Sequence, residues 1–175
     1  RNAKRLDRLA SDILDVTRIE SKSLKLNKEQ FDLSDVLSTC VQDLREQMEK
    51  DDSTRNVKIS YPPRNILVEA DKGRITQVIL NLLRNAIKFT SEGVISINAF
   101  RKDDRVIVIV KDSGSGFDPE LLPRLFSKFV TKSDKGTGLG LFISKSIIDA
   151  HRGTIWAENN ADDKGCTFTF SIPST

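Results

Sequence analysis

The sequence predicts an α+β fold: a two-layer α/β sandwich, with one mixed sheet covered by helices on one face, preceded by an amphipathic helix. Three observations predict it. Short β-branched runs such as VISINAF and RVIVIVKD alternate with long segments of helical period. Strands are interspersed with helices and then close in a terminal pair, TIWAEN and CTFTFSI. Finally, 175 residues with 38% hydrophobic and 30% charged content suit one ordinary domain plus an appendage. No internal repeat or low-complexity tract interrupts this order.

The elements follow in turn. Residues 2 to about 22 read as one helix, with Leu6, Leu9, Ile13, Val16 and Leu24 on an approximate heptad seam that Ala10 and Leu14 widen. Such a stripe needs partner helices. The basic stretch RNAKRLDR reads as that helix's solvated face. LKLNKEQFDL, residues 24–33, is a strand-like link. Ser34 is placed to cap a second helix running to about Lys50, with Val36, Leu37, Val41, Leu44 and Met48 inward. VKISY and NILVEAD read as short strands separated by Pro62 and Pro63. A third helix spans roughly residues 72 to 89. VISINAF and RVIVIVKD are the next strands, joined by KDD. A short helix is expected from Pro119 to about Phe129, and a longer one from Leu139 to Gly153.

Bulk properties exclude several functions. A net charge of +3, with both signs interleaved, argues against a dedicated nucleic-acid binder. Cys40 and Cys166 form no CxxC pattern and read as small buried side chains, which fits a reducing, cytoplasmic compartment. No apolar run approaches the length of a membrane span. The chain starts with Arg, so it is expected to be a fragment, and any membrane attachment of the parent would come from upstream segments.

Five of the nine glycines fall in KDSGSGFDPELLPRLFSKFVTKSDKGTGLGL, residues 111–141. Gly-rich loops often cradle phosphates, yet neither a P-loop nor a GxGxxG fingerprint is spelled here. Gly136-Thr137-Gly138-Leu139-Gly140 stands immediately before a helix, whose free N–H groups favour a polyphosphate. Asp112 ends an apolar strand and is followed by Ser-Gly-Ser-Gly. It reads either as a turn former or as a buried acceptor for an adenine amino group, with glycines that let the base approach. VTKSDK, between the loops, fits a lid that carries Lys132 and Lys135. On the third helix Arg74, Gln77, Asn81, Asn85 and Lys88 share a sector of roughly 80°. An ordinary wet face is one reading. Asn is a poor helix former, however, and an amide pair in line with a Lys suits Mg²⁺ and phosphate.

In combination and order, NLLRNAIKFT, DSGSGFDPE, LFSKF and GTGLGL closely resemble the ATP-binding catalytic domain of two-component sensor histidine kinases. These belong to the Bergerat (GHKL) fold group, with gyrase B and the mismatch-repair ATPases. The resemblance covers residues 24–175, through HRGTIWAENN and FTFSIP. Residues 1–23, which open on RNAKRLDRLASDILDVTRIES, resemble the second helix of the kinases' dimerisation hairpin.

The resemblance implies Mg²⁺ on Asn85, with Asn81 beside it, and phosphate on Lys88. It implies the adenine amino group on Asp112, a pocket shaped by Gly114 and Gly116, and a supporting hydroxyl at Thr167. Gly136, Thr137, Gly138, Leu139, Gly140 and Leu141 would wrap the phosphates of ATP or ADP, with Lys132 nearby. Phe126 and Phe129 look like the lid's aromatic hinge, or plain core. Hydrolytic relatives place Glu where Asn81 stands, and an amide cannot serve as general base. Asn81 and Lys88 are therefore expected to support transfer of the γ-phosphoryl group to a protein nucleophile. The one His, His151, matches a structural corner of the family, so the acceptor His is expected upstream of Arg1 and self-phosphorylation is not expected. A response-regulator receiver domain is the implied partner, with homodimerisation through the hairpin. Ser115, Phe117 and Lys135 depart from the common pattern. A Ser-directed kinase on the same fold, and a non-catalytic nucleotide-sensing dimerisation module, are the alternatives.

Overall fold

The computed structural model describes residues 2–54, 56–131, 136–161 and 164–174. Its elements are α1 (Asn2–Glu20), β1 (Glu29–Asp32), α2 (Leu33–Met48), β2 (Val57–Ser60), β3 (Leu67–Ala70) and α3 (Lys72–Phe89). They continue with β4 (Gly93–Lys102), β5 (Arg105–Asp112), α4 (Gly140–Ala150), β6 (Thr154–Asn159) and β7 (Cys166–Pro173).

Five strands form a mixed sheet in the order β2-β4-β5-β7-β6. β2 and β4 run parallel, and the other pairs are antiparallel. Alternation sends Ile95 and Ile97 of β4, Val106, Val108 and Val110 of β5, and Phe168 and Phe170 of β7 into the core. There they meet Ile75, Ile79 and Leu82 of α3 and Ile143 and Ile147 of α4. Val94 and Trp156 mark the opposite, open face. The expected layers are present. The single expected sheet is instead this one plus a two-stranded ribbon: the link at residues 24–33 contains β1, which pairs antiparallel with β3.

Three local expectations are corrected. Asp32, not Ser34, caps α2: its carboxylate accepts from the backbone N–H groups of Ser34 and Ile66, both at 2.9 Å. The Ile66 bond in particular holds its pKa below the ordinary 3.8, against the opposing effect of burial. The helix expected over 119–129 shrinks to a 3₁₀ turn, Leu122–Arg124. Pro123 lacks an N–H and disfavours helical geometry at the residue before it. α1 stops at Glu20, and Lys22 turns the chain at φ +53°, so Leu24 falls off the seam.

Among the described residues, the buried Thr90 hydroxyl at the end of α3 has no hydrogen-bond partner. Thr90→Val keeps the β-branched shape at this extended residue and removes the orphan group. It is expected to raise stability by about 1 kcal/mol, read as a higher urea midpoint at unchanged slope.

His151 ties the end of α4 to the start of α3. Its Nε2 accepts from Asp71 N–H at 3.0 Å, and its Nδ1 pairs with the Ile147 carbonyl at 2.8 Å. That geometry needs neutral imidazole. Burial, with Lys28 assisting, lowers its pKa below the ordinary 6.5, opposed by the Ile147 bond and Asp71. The unfolded chain therefore binds the proton more readily. The stability contribution is full above pH 6.5 and declines as pH falls below it toward the folded value. The unfolding free energy from urea titrations between pH 7.5 and 5 should drop by at most about 1.4 kcal/mol per pH unit from this group, and His151→Gln should lack that component.

Candidate functional site

α3 supplies one wall. Asp71 caps it by accepting from Arg74 N–H at 3.0 Å, which fixes where the polar stripe begins. Asn81 is buried, and its Nδ2 donates to Ser144 Oγ of α4 at 3.0 Å. Asn85 is half-buried one turn on, and Lys88 is exposed with its ammonium 5.3 Å from the centre of the Phe89 ring.

α4 supplies the facing wall. A Cβ on Gly140 would lie 2.3 Å from Asn81 Oδ1, so only Gly lets α4 start this close to α3. No side chain caps the α4 N-terminus. Its first-turn N–H groups are therefore available to an anion. Leu139 is buried, and its N–H donates to Thr137 Oγ1 at 3.2 Å.

These walls enclose a cavity of about 630 Å³. Asn81, Asn85, Lys88, Gly136, Thr137, Gly138, Gly140 and Leu141 all line it. The spacing on α3 and the GTGLG run are thus brought together as expected. The Phe129 N–H donates to the Gly138 carbonyl at 2.9 Å, which joins the GTGLG loop to the expected hinge. Phe129 itself is 72% exposed at φ +63°, whereas Phe126 packs edge-on against Phe168. Of the two hinge candidates, Phe126 is partly buried and packs against the core. Lys132 and Lys135 lie outside the described residues.

Asp112, Gly114 and Gly116 do not line this cavity. They form an adjoining cluster in which Asp112 and Gly114 are buried and Gly116 half-buried, and Phe117, next in sequence, reaches the cavity wall. Asp112 is 2% exposed. Its Oδ1 accepts from Gly114 N–H at 2.9 Å and from Cys166 N–H at 3.4 Å, and its Oδ2 accepts from the Cys166 thiol at 3.0 Å. A Cβ on Gly114 would meet the Phe89 carbonyl oxygen at 2.2 Å, so the loop rests on the end of α3.

Thr167 joins the cluster indirectly: its hydroxyl donates to Asn160 Oδ1 at 2.7 Å, and Asn160 donates to the Asp112 backbone carbonyl at 2.8 Å. Side chains on β7 alternate, so the residue turned toward Asp112 is Cys166. Burial, then the Asp112 carboxylate, pushes the Cys166 thiol far above its ordinary value. Cys40 lies remote in α2 and is pushed up to about 11, chiefly by burial.

Sequence reasoning missed four supports. Asn159 clamps Phe117 from both sides, its Oδ1 accepting from the N–H at 2.8 Å and its Nδ2 donating to the carbonyl at 2.7 Å. Asn160 Nδ2 donates to the Asp112 carbonyl at 2.8 Å. Gly165, at φ +104°, backs directly onto that carbonyl. Ser144 holds Asn81. The adjacent Asn pair at a strand end, with Gly165 five residues on, was the available signal for the first three. Also unforeseen are Asp12 and Asp15 of α1, which are buried against the site.

No group of three or more metal-ligating His, Cys, Asp or Glu occurs among the described residues. The stripe offers amide oxygens, hard donors that suit Mg²⁺ only when phosphate and water complete its shell.

Comparison with known proteins agrees with this geometry. Residues 70–175 match the family described as histidine kinase-, DNA gyrase B-, and HSP90-like ATPase. The sensor histidine kinase WalK of Bacillus subtilis is 32% identical over 179 residues, covering 97% of this chain but 29% of WalK. Full-length ShkA, solved in complex with AMPPNP, superposes with a TM-score of 0.83 at 28% identity, covering 97% of this chain and 36% of ShkA. ThkA, solved in complex with the response regulator TrrA, gives 0.77 at 34% identity, covering 99% of this chain and 49% of ThkA. No helix among the described residues is long and apolar enough to cross a membrane. The chain belongs to the histidine kinase-, DNA gyrase B- and HSP90-like ATPase family.

Proposed function

We propose that this chain is the Mg-ATP-binding catalytic part of a two-component sensor histidine kinase. It passes the γ-phosphoryl group to a histidine on a helix outside this chain, for relay to a response-regulator aspartate. The observation that carries the reading is Asn81, Asn85 and Lys88 facing an uncapped GTGLG helix start across one cavity. ShkA with AMPPNP and ThkA with TrrA support the nucleotide and the partner. Residues 1–23 are assigned to the dimerisation hairpin and residues 24–175 to the catalytic domain. The exposed Leu6, Ile13 and Leu14 of α1 form an apolar stripe that suits helix pairing in a homodimer. The two buried free thiols suit a cytoplasmic setting.

The residues divide the work. The Asp112 cluster orients the base. The α4 N-terminus and Lys88 hold phosphate, and the Asn85 amide would hold the metal through oxygen, with Asn81 beside it. When bound, Mg²⁺ neutralises charge developing on the transferring phosphoryl group. Asn81 cannot activate water, and Ser144 fixes its amide, so the site positions a phosphate without supplying a base for hydrolysis. His151 cannot accept phosphate, being buried with both ring nitrogens engaged.

Incubation with γ-labelled ATP and Mg²⁺, together with a helical hairpin bearing a His-Glu pair added in trans, tests this. Label on the hairpin histidine is expected. Rapid release of inorganic phosphate with no label on the hairpin would overturn the kinase reading.

A further inference from the structure

The nucleotide cavity has a neighbour. A second cavity, of about 440 Å³, lies between α1, α3 and α4. Two buried carboxylates on its α1 side are already paired. Asp15 Oδ1 accepts from Arg74 and its Oδ2 from Gln77, both at 2.7 Å, and Asp12 Oδ2 accepts from Thr137 Oγ1 at 3.3 Å. The two cavities share three lining residues, Asn81, Arg84 and Gly140. Of these only Arg84 is charged. It is exposed, three residues after Asn81 and four before Lys88, so it neighbours both on the helix surface. At roughly 60° from Asn81 it stands just beyond the edge of the polar sector.

Position along α3 orders the phosphates. The Asp112 cluster rests on the C-terminal end of α3, where Gly114 packs on the Phe89 carbonyl. A nucleotide with its base there runs its phosphates toward the N-terminal side of the helix. It passes Lys88 first and reaches the level of Arg84 about 6 Å further along the axis. Gly140, at the uncapped start of α4, packs directly on Asn81 at that same level. The terminal phosphoryl group of a triphosphate thus falls at the doorway between the cavities, and a diphosphate stops short of it. In-line transfer places the acceptor opposite the leaving group, which is the side of the second cavity. Charge on the transferring group is spread over its equatorial oxygens, and a guanidinium presents a permanently charged, planar fork of donors to such oxygens. Arg74 is committed elsewhere, to Asp15 and Gln77.

We propose that Arg84 is a catalytic residue: its guanidinium holds the γ-phosphoryl oxygens at this doorway while the acceptor imidazole approaches from the second cavity. The lone pair of the unprotonated ring nitrogen forms the N–P bond. The bond from the γ-phosphorus to the bridging oxygen breaks, and its electron pair leaves on the β-phosphate of ADP. The proton on the other ring nitrogen then passes to solvent. Arg84 stays charged throughout and donates to the transferring group. The inference rests on the nucleotide-site and kinase reading above.

Arg84→Gln and Arg84→Lys test it in the 175-residue chain. With γ-labelled Mg-ATP and the histidine-bearing hairpin in trans, transfer at saturating Mg-ATP should slow by roughly 100-fold or more in Arg84→Gln. Arg84→Lys keeps the charge and loses the fork, so its rate should fall between the two. Calorimetry separates contact with the terminal phosphate from a structural role. Arg84→Gln should bind Mg-AMPPNP at least about fivefold more weakly than wild type, with Mg-ADP affinity unchanged. Transfer by Arg84→Gln within about threefold of a wild type that does label the hairpin overturns the role of Arg84 and leaves the kinase reading standing. Mg-AMPPNP affinity that does not change, or Mg-ADP affinity that falls equally, overturns it too. Wild-type chain that binds Mg-ADP yet never labels the hairpin overturns the kinase reading, and the catalytic role of Arg84 with it.

Discussion

Asp112→Asn is expected to weaken adenine-nucleotide binding by at least about 100-fold, equivalent to roughly 3 kcal/mol. The carboxylate is 2% exposed and surrounded by donors: Gly114 N–H, Cys166 N–H and the Cys166 thiol. An adenine amino group would add another donor. An amide in the same place keeps one acceptor oxygen and turns an NH₂ toward groups that also donate. The variant therefore loses the base contact and faces donor against donor in a dry site. Calorimetry with Mg-ADP measures the loss. Thermal unfolding without nucleotide should show a smaller change, because the Asn160 bond goes to the Asp112 backbone carbonyl and survives the substitution. Wild-type affinity in the variant would mean that the base lies elsewhere.

Gly165→Ala is expected to be the most damaging single-atom addition, costing about 3–5 kcal/mol of stability. Gly165 sits at φ +104°, a conformation that side chains rarely adopt. Its added Cβ would stand 2.0 Å from the Asp112 carbonyl oxygen and 2.7 Å from Gly114 N, both backbone atoms that cannot step aside. Nucleotide affinity should fall along with stability, since the displaced strand carries Asp112. The same substitution at Gly73, in the first turns of α3, is the control. There a Cβ meets only Asp71 Oδ1 at 3.6 Å, an ordinary contact. Ala is the better helix former by about 1 kcal/mol, so Gly73→Ala should be neutral or stabilising. Chemical denaturation of both variants checks the contrast.

The parts of the site that were legible in the sequence are those governed by short-range periodicity. Asn81, Asn85 and Lys88 stand on one helix at fixed spacing, so their shared face follows from the rise of 100° per residue. GTGLG before an apolar helix is equally local. The Asp112 cluster was less legible because it is assembled across strands. Thr167 and Cys166 differ by one residue, and their sides depend on the β7 register, which pairs Lys111 with Thr167. The Asn159 and Asn160 clamps bridge residues far apart in sequence, and no local pattern announces them. The ribbon of β1 and β3 was missed for the same reason, since each is four residues long and they pair across α2. Asp12 and Asp15 were hidden differently: they stand off the apolar seam of α1, and only tertiary partners explain their burial.

The parallel pairing of β2 with β4 carries a stereochemical consequence. The chain between these strands runs through β3 and α3, so α3 is the crossover of a parallel strand pair. Such crossovers take the right-handed sense in about 98% of cases. Chirality of the backbone therefore decides on which side of the sheet α3 lies. Reaching β4 from the other side would need the rare left-handed connection. The hand of one crossover thus sets which side of the sheet presents Asn81, Asn85 and Lys88.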